Sequence, residues 1–127
     1  MVRGELPLEV EDLENEIGGL KTRLEKMEEE NDNVSQRVSA YEIQIKESQT
    51  LIEKYEDQKN NVRNNREFES LNKEVEYQTL EIELCEKRIR ECKAQQVQKA
   101  EGLENLRSKN TQRTADLTAK QSELDEI

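Results

Sequence analysis

Apolar residues recur along the first half of the chain at alternating steps of three and four. Thirteen of the sixteen positions in this series are apolar or Tyr, over eight heptads without a slip. The series is Val10, Leu13, Ile17, Leu20, Leu24, Met27, Asn31, Val34, Val38, Tyr41, Ile45, Ser48, Ile52, Tyr55, Lys59 and Val62. A heptad repeat of this length is typical of a coiled-coil helix with one narrow apolar seam.

A second series with the same spacing begins two residues out of frame with the first. Twelve of its eighteen positions are apolar. They are Phe68, Leu71, Val75, Gln78, Ile82, Cys85, Ile89, Cys92, Gln96, Lys99, Leu103, Leu106, Asn110, Arg113, Leu117, Lys120, Leu124 and Ile127. Coiled coils absorb insertions of three or four residues but not a jump of two, which indicates that the helix is interrupted between Val62 and Phe68.

The interruption is rich in Asn, a weak helix former that tolerates the left-handed backbone conformation of turns. Asn60, Asn61, Asn64 and Asn65 lie on either side of Arg63. We therefore predict an all-α fold, a long antiparallel coiled-coil helical hairpin in which the whole chain, 1–127, forms one domain. The first arm is 5–62, the tight turn 63–67 and the second arm 68–127.

The two arms also match each other layer by layer. When residues whose numbers add to 130 are paired, every a position faces a d position, as Val38 faces Cys92. The polar Asn31 then faces Lys99, beside the layer that contains Gln96. We expect Asn31, Gln96 and Lys99 to set the register of the hairpin at a cost in stability, because buried polar residues do both in coiled coils.

Charge separates the two arms. Residues 87–120 carry nine Lys or Arg and four acids, a net charge of +5, whereas residues 10–43 carry four bases and ten acids, a net charge of −6. The run Lys87, Arg88, Ile89 and Arg90 is therefore expected to pair within the molecule. A nucleic-acid patch is the alternative.

Composition narrows the function classes. Hydrophobic residues make up 31% of the chain and charged residues 39%, with a net charge of −10 and no His. Too few apolar residues are present for a compact core, and without His the commonest general base is missing. We expect no catalytic site and no cofactor. The acidic balance disfavours general nucleic-acid binding and anionic membranes.

Location and cysteine chemistry follow from simpler features. The chain has no run of 18 apolar residues, and its first residues form no apolar signal region, so we expect a cytoplasmic protein. Cys85 and Cys92 are seven residues apart, about 10.5 Å along a helix. That separation is too long for a disulfide, so we expect two reduced, partly buried thiols.

Gly4 and Pro7 are expected to mark the start of the first arm. Proline suits the first turn of a helix, and the glycine is expected to break any helix that precedes it. At the other end, Leu124 and Ile127 are still in frame when the sequence stops, so we expect the chain to be part of a longer coiled coil.

The turn region is the candidate binding site. Lys59, Arg63 and Arg66 would cluster there beside Asn64 and Asn65, forming a positive spot on an acidic molecule. Such a spot suits an acidic protein surface or a few phosphates. In the alternative interpretation these residues only form the turn.

Four segments resemble one known family. They are residues 62–76 (VRNNREFESLNKEVE), 80–84 (LEIEL), 86–89 (EKRI) and 4–13 (GELPLEVEDL). These segments resemble bacterial C4-type zinc-ribbon proteins, and the last looks like the form found in the Bacteroidetes group. The resemblance implies a long helical hairpin followed by a ribbon with two CxxC knuckles. This chain lacks the ribbon, and Cys85 and Cys92 do not match its ligands, so zinc is expected only in a C-terminal ribbon outside this sequence.

The resemblance also suggests a role. Members of the family are linked to binding an alternative sigma factor, to flagellar or type III secretion, and to RNA. We expect a non-enzymatic interaction or scaffold module with a protein partner, such as a transcription- or secretion-related adaptor. The alternative is an RNA-binding protein that uses the basic tip and the ribbon. Whether hairpins pair into homodimers is left open.

Overall fold

The fold is an all-α helical hairpin, as predicted. The computed structural model describes residues 2–127, with side chains from residue 5 onward. Helix α1 spans Val2–Lys59 and helix α2 spans Asn65–Glu126. The contacts divide the hairpin into two compact units. The tip unit is Asn33–Gln96, and the open-end unit combines the residues up to Asp32 with Val97–Ile127.

Helix α1 begins at Val2, earlier than the predicted start at residue 5, and continues through Gly4 and Pro7. The expectation that Gly4 ends a preceding helix is wrong. A glycine lowers helix stability by about 1 kcal/mol without forbidding the helical conformation. Pro7 is the sixth residue of α1, past the N-terminal N–H groups that have no helical partner, so the helix lacks one backbone hydrogen bond there. The expectation that Pro7 lies in the first turn is therefore wrong.

The seam lies where the two heptad series place it. In α1 and its following loop, every position from Val10 to Val62 in the first series is buried or half-buried. In the second series only Phe68, Lys99 and Ile127 are exposed. Because the side chains of a helix repeat every 3.6 residues, this narrow stripe is the surface that each helix buries.

In the tip unit the core is a cluster of Val34, Val38 and Cys92, against which Tyr41 and Ile89 pack. Val38 with Cys92 and Tyr41 with Ile89 are layers of the predicted register, which is confirmed here. Ser48 of this unit is polar and fully buried, and its Oγ accepts a 3.4 Å hydrogen bond from the side-chain nitrogen Nε2 of Gln44.

In the open-end unit the buried apolar side chains are Leu6, Val10, Leu20 and Leu106. Ion pairs flank them. Lys120 lies 2.9 Å from Glu9, Arg113 lies 2.9 Å from Glu16, Arg107 lies 3.1 Å from Glu28 and Lys99 lies 3.9 Å from Glu30. The partner numbers rise on one helix as they fall on the other, so the helices are antiparallel. The expected pairing of a basic arm with an acidic arm is confirmed in this unit.

These ion pairs agree with the register of the two helices but add little to the stability of the fold. Their side chains are 35–48% exposed, and exposed ion pairs contribute only about 0.2–1 kcal/mol each. The hydrogen bond from Lys120 to Glu9, together with the negative charge of that carboxylate, raises the pKa of Lys120. Lys120 therefore keeps its proton to a higher pH than an ordinary Lys side chain does.

The predicted polar layer differs from the one observed. Lys99 is exposed and pairs with Glu30, so its expected burial is wrong. A long Lys side chain at a seam position can extend its ammonium into water while its methylenes stay at the helix surface. Asn31 is half-buried, and its role in setting the register remains a prediction.

Two further polar residues, Gln96 and Asn110, lie in the seam. In the tip unit, the amide nitrogen of Gln96 donates a hydrogen bond of 2.8 Å to Ser35 Oγ. In the open-end unit, Asn110 Oδ1 is buried without a hydrogen-bond partner among the described residues. Asn110 is therefore the seam residue at which a polar group is buried at a clear cost.

The turn lies at residues 60–64, three positions earlier than the predicted 63–67. The N–H groups of Asn60 and Asn61 donate to the carbonyls of Asp57 and Gln58, which ends α1 with tight i to i−3 bonds. No described residue has a positive φ. The expected left-handed Asn conformation is therefore wrong, and Asn has another role here.

That role is to cap α2. Asn64 Oδ1 accepts a hydrogen bond of 2.8 Å from the N–H of Glu67, and its carbonyl accepts the first helical bond from Phe68. This is the geometry of a helix N-cap, which Asn favours. The helix can start at Asn65 because the cap satisfies an N–H that has no helical partner.

Replacing Asn64 by Ala is expected to lower the free energy of unfolding by about 1 kcal/mol, because the Glu67 N–H loses its acceptor. Urea denaturation followed by circular dichroism measures this change. Asn65→Ala is the matched control: Asn65 is exposed inside α2, so Ala should be neutral or slightly stabilising there. Equal effects of the two substitutions would contradict the capping role.

Candidate partner-binding tip

Lys59 is the last residue of α1 and is bound within the tip. Its ammonium donates a 2.8 Å hydrogen bond to Asn72 Oδ1, lies 2.9 Å from the Glu56 carboxylate and sits 5.6 Å from the centroid of the Phe68 ring. The side chain is only 17% exposed. Lys59 therefore joins the two helices, and little of its charge is available to a partner.

Arg63 and Arg66 differ from Lys59. Arg63 lies in the turn and Arg66 in the first turn of α2, and both are exposed. Neither forms an ion pair or a side-chain hydrogen bond with the described residues. Asn65 between them is also exposed. The structure thus places all five predicted residues at the tip, but it leaves the two Arg and Asn65 available while Lys59 and Asn64 support the fold.

An open groove lies beside these residues. Its volume is about 400 Å³, and it is lined by Gln58, Asn61, Val62, Glu67, Ser70 and Leu71. Val62 and Leu71 are half-buried seam residues that give the groove an apolar floor, whereas the other four supply hydrogen-bonding groups at its edge. The heptad series place Val62 and Leu71 in the seam, but they do not give the layer at which helical pairing stops, so the sequence did not predict this groove.

Phe68 was predicted to lie inside the seam opposite Val62. It is 43% exposed, and that prediction is wrong. Helix α1 ends at Lys59, so no further helical layer faces Phe68. The Lys59 ammonium near its ring is an electrostatic contact of the cation–π type.

The basic run in the tip unit also differs from expectation. Lys87, Arg88 and Arg90 form no ion pair with the described residues, although Arg88 lies 5.8 Å from the centroid of the Tyr41 ring. The opposing residues 40–43 contain a single acid, Glu42. The expected pairing within the molecule is therefore wrong for this run, whose three basic residues face a single acid.

The described residues contain no group of three or more His, Cys, Asp or Glu placed to hold a metal ion. Cys85 and Cys92 are free thiols, as predicted, and both are buried rather than partly buried. Across the described residues, neither helix has an apolar stretch long enough to cross a membrane. The expected lack of catalysis and of cofactors remains a prediction.

Comparisons with protein-family models, with curated proteins and with solved structures gave no match to this chain. The resemblance to zinc-ribbon proteins therefore remains a prediction from the sequence.

Proposed function

We propose that this chain is a non-catalytic protein-interaction module whose tip binds an acidic segment of a partner protein. The observation that supports this proposal best is the exposure of Arg63 and Arg66 without acidic partners, next to a groove with an apolar floor. Arg grips carboxylates through two parallel hydrogen bonds. The groove offers a place for an apolar side chain of the same segment.

The charge of the whole molecule favours the tip over the arms as the site. The chain carries a net charge of −10, so an acidic partner is repelled by most of the surface and attracted where unpaired Arg side chains cluster. This uneven distribution of charge directs an acidic partner to the tip and orients it there. The resemblance at the tip adds a cytoplasmic adaptor role in transcription or secretion to the proposal.

RNA binding is the second candidate, and the exposed ring of Phe68 favours it. An aromatic ring beside Arg side chains can stack on an unpaired base while the guanidinium groups contact phosphates. The net charge of −10 opposes this function, because affinity for nucleic acids depends on releasing counterions from phosphates.

Reversing the tip charges with Arg63→Glu and Arg66→Glu is expected to weaken capture of a protein partner at least tenfold, about 1.4 kcal/mol. Helicity should stay nearly constant, since surface substitutions usually cost within about 0.5 kcal/mol. The immobilised chain is exposed to an extract of its source cells, and retained proteins are quantified by mass spectrometry. The loss of binding must be selective, so that a defined set of proteins is retained by the wild-type chain and not by the tip variant.

The matched control is Arg23→Glu with Arg37→Glu, which changes the net charge equally at two exposed Arg residues away from the tip. Retention by this control and loss by the tip variant support the proposal. Equal retention by both variants contradicts it. Binding of a labelled RNA that survives about 150 mM salt, where weak charge contacts are screened, would favour the second candidate instead.

A further inference from the structure

The outer face of α2 in the tip unit carries a stripe of exposed apolar side chains. Tyr77 is 58% exposed, Leu80 57% and Leu84 39%. Their spacing of three and four residues puts them in one line on the helix surface. In the heptads of α2 they occupy c and f positions, on the opposite side from seam residues such as Gln78 and Ile82. The stripe is a second apolar seam that no described residue of the chain covers.

Charged residues extend the stripe at both ends. Lys73 lies one turn before Tyr77, while Lys87 and Glu91 continue the line after Leu84. Glu76 lies at one edge of the stripe and Arg88 at the other. None of these five forms an ion pair with the described residues. The face therefore combines a short apolar centre with unpaired charges of both signs.

We propose that this face binds a second copy of the chain, with the two α2 helices antiparallel across a two-fold axis. In the register that places Leu80 against Leu84 of the second copy, the two-fold axis crosses the contact halfway between these two residues along the helix. Leu80 and Leu84 of both chains then form the centre of the contact, and Tyr77 lies opposite Lys87 of the second copy. A ring and an ammonium in that position attract each other.

The charges agree with this register. Lys73 lies opposite Glu91 of the second copy, within the line of the stripe. The two-fold axis repeats this pair, so one face supplies both partners of two ion pairs. A parallel arrangement would instead place Lys73 beside Lys73 and Lys87 beside Lys87, and such like-charge contacts are destabilising.

The size of the face sets the expected strength. From Lys73 to Glu91 the contact would run about 27 Å along the helix at 1.5 Å per residue. The apolar centre is three side chains, small against the roughly 800 Å² per partner of a standard stable interface. We therefore expect a dimer with a micromolar dissociation constant, formed independently of the tip.

Sedimentation velocity from about 1 to 500 µM tests the proposal across this affinity range. The wild-type chain should shift from monomer to dimer, and Leu80→Glu should weaken the dimer at least tenfold. Ile43→Glu is the matched control, because Ile43 is 58% exposed on the outer face of α1 in the same unit. A chain that stays monomeric at all concentrations, or a dimer that Leu80→Glu does not weaken, would overturn the proposal.

A charge exchange tests the register. Lys73→Glu alone and Glu91→Lys alone should each weaken the dimer, since each places like charges opposite one another. The double variant should restore it, an outcome that damage to the fold would not produce. Failure of the double variant to restore the dimer would overturn the antiparallel register. The tip variant with Arg63→Glu and Arg66→Glu should dimerise like wild type, so this proposal and the proposed function can fail separately.

Discussion

Replacing Gly18, Gly19 and Gly102 together by Ala is expected to raise the free energy of unfolding by about 1.5–3 kcal/mol, since each Gly inside a helix costs roughly 0.5–1 kcal/mol relative to Ala. All three lie inside helices of the open-end unit. An added Cβ meets nothing within 4 Å at Gly18 and Gly19, and at Gly102 only the Met27 methyl at 4.0 Å. No described Gly has a positive φ, so Ala can adopt the backbone without strain.

Urea denaturation followed by circular dichroism measures the change. The reverse substitution Ala115→Gly, at an exposed helical position of the same unit, is the matched control and should lower stability by about 1 kcal/mol. An unchanged or lower stability of the triple Ala variant would contradict the prediction. It would mean that the glycines permit a helix conformation or a contact that Ala blocks.

Replacing Asn110 by Leu is expected to raise the free energy of unfolding by about 1–3 kcal/mol. Its Oδ1 is buried without a hydrogen-bond partner among the described residues, and a buried polar atom of this kind costs about that much. In the predicted register Asn110 faces Leu20, which is 5% exposed. A Leu side chain there would add apolar contact in place of the lost amide.

Asn31→Leu is the matched control, because Asn31 is a half-buried seam residue of the same unit that has a polar interaction in the structure. Its replacement should stabilise less, or destabilise. Melting temperatures of both variants, with their sedimentation, test this difference and any loss of register. A lower stability of Asn110→Leu would mean that water satisfies its Oδ1.

Much of the fold followed from spacing alone. The two heptad series predicted two helices and an antiparallel register, and contacts such as Val38 with Cys92 and Lys120 with Glu9 agree with it. A seam depends on local periodicity, because each helix can bury only the stripe that repeats every 3.5 residues. The number of apolar residues needed is small, so a highly charged sequence still specifies the hairpin.

The sequence predicted approximately where the tip lies, but not the conformation of its residues. Asn64 has two structural uses, a left-handed turn or a helix cap, and both suit the same sequence. The choice depends on where α1 ends and on whether the Glu67 N–H has another acceptor. The heptad series do not give the last layer in which the two helices pack against each other. For that reason they predicted neither the exposure of Phe68 nor the half-apolar groove.

By itself, then, the sequence determined the helices, their register and the side of each helix that is buried. Only the tertiary structure decided which charges find partners: Lys99 pairs outward with Glu30, Lys59 is held at the tip, and Arg63, Arg66 and the stripe on α2 remain open to a partner. The physical reason is reach. Periodicity specifies the direction in which a side chain leaves its helix, whereas an ion pair or hydrogen bond requires two flexible side chains to meet within about 3–4 Å.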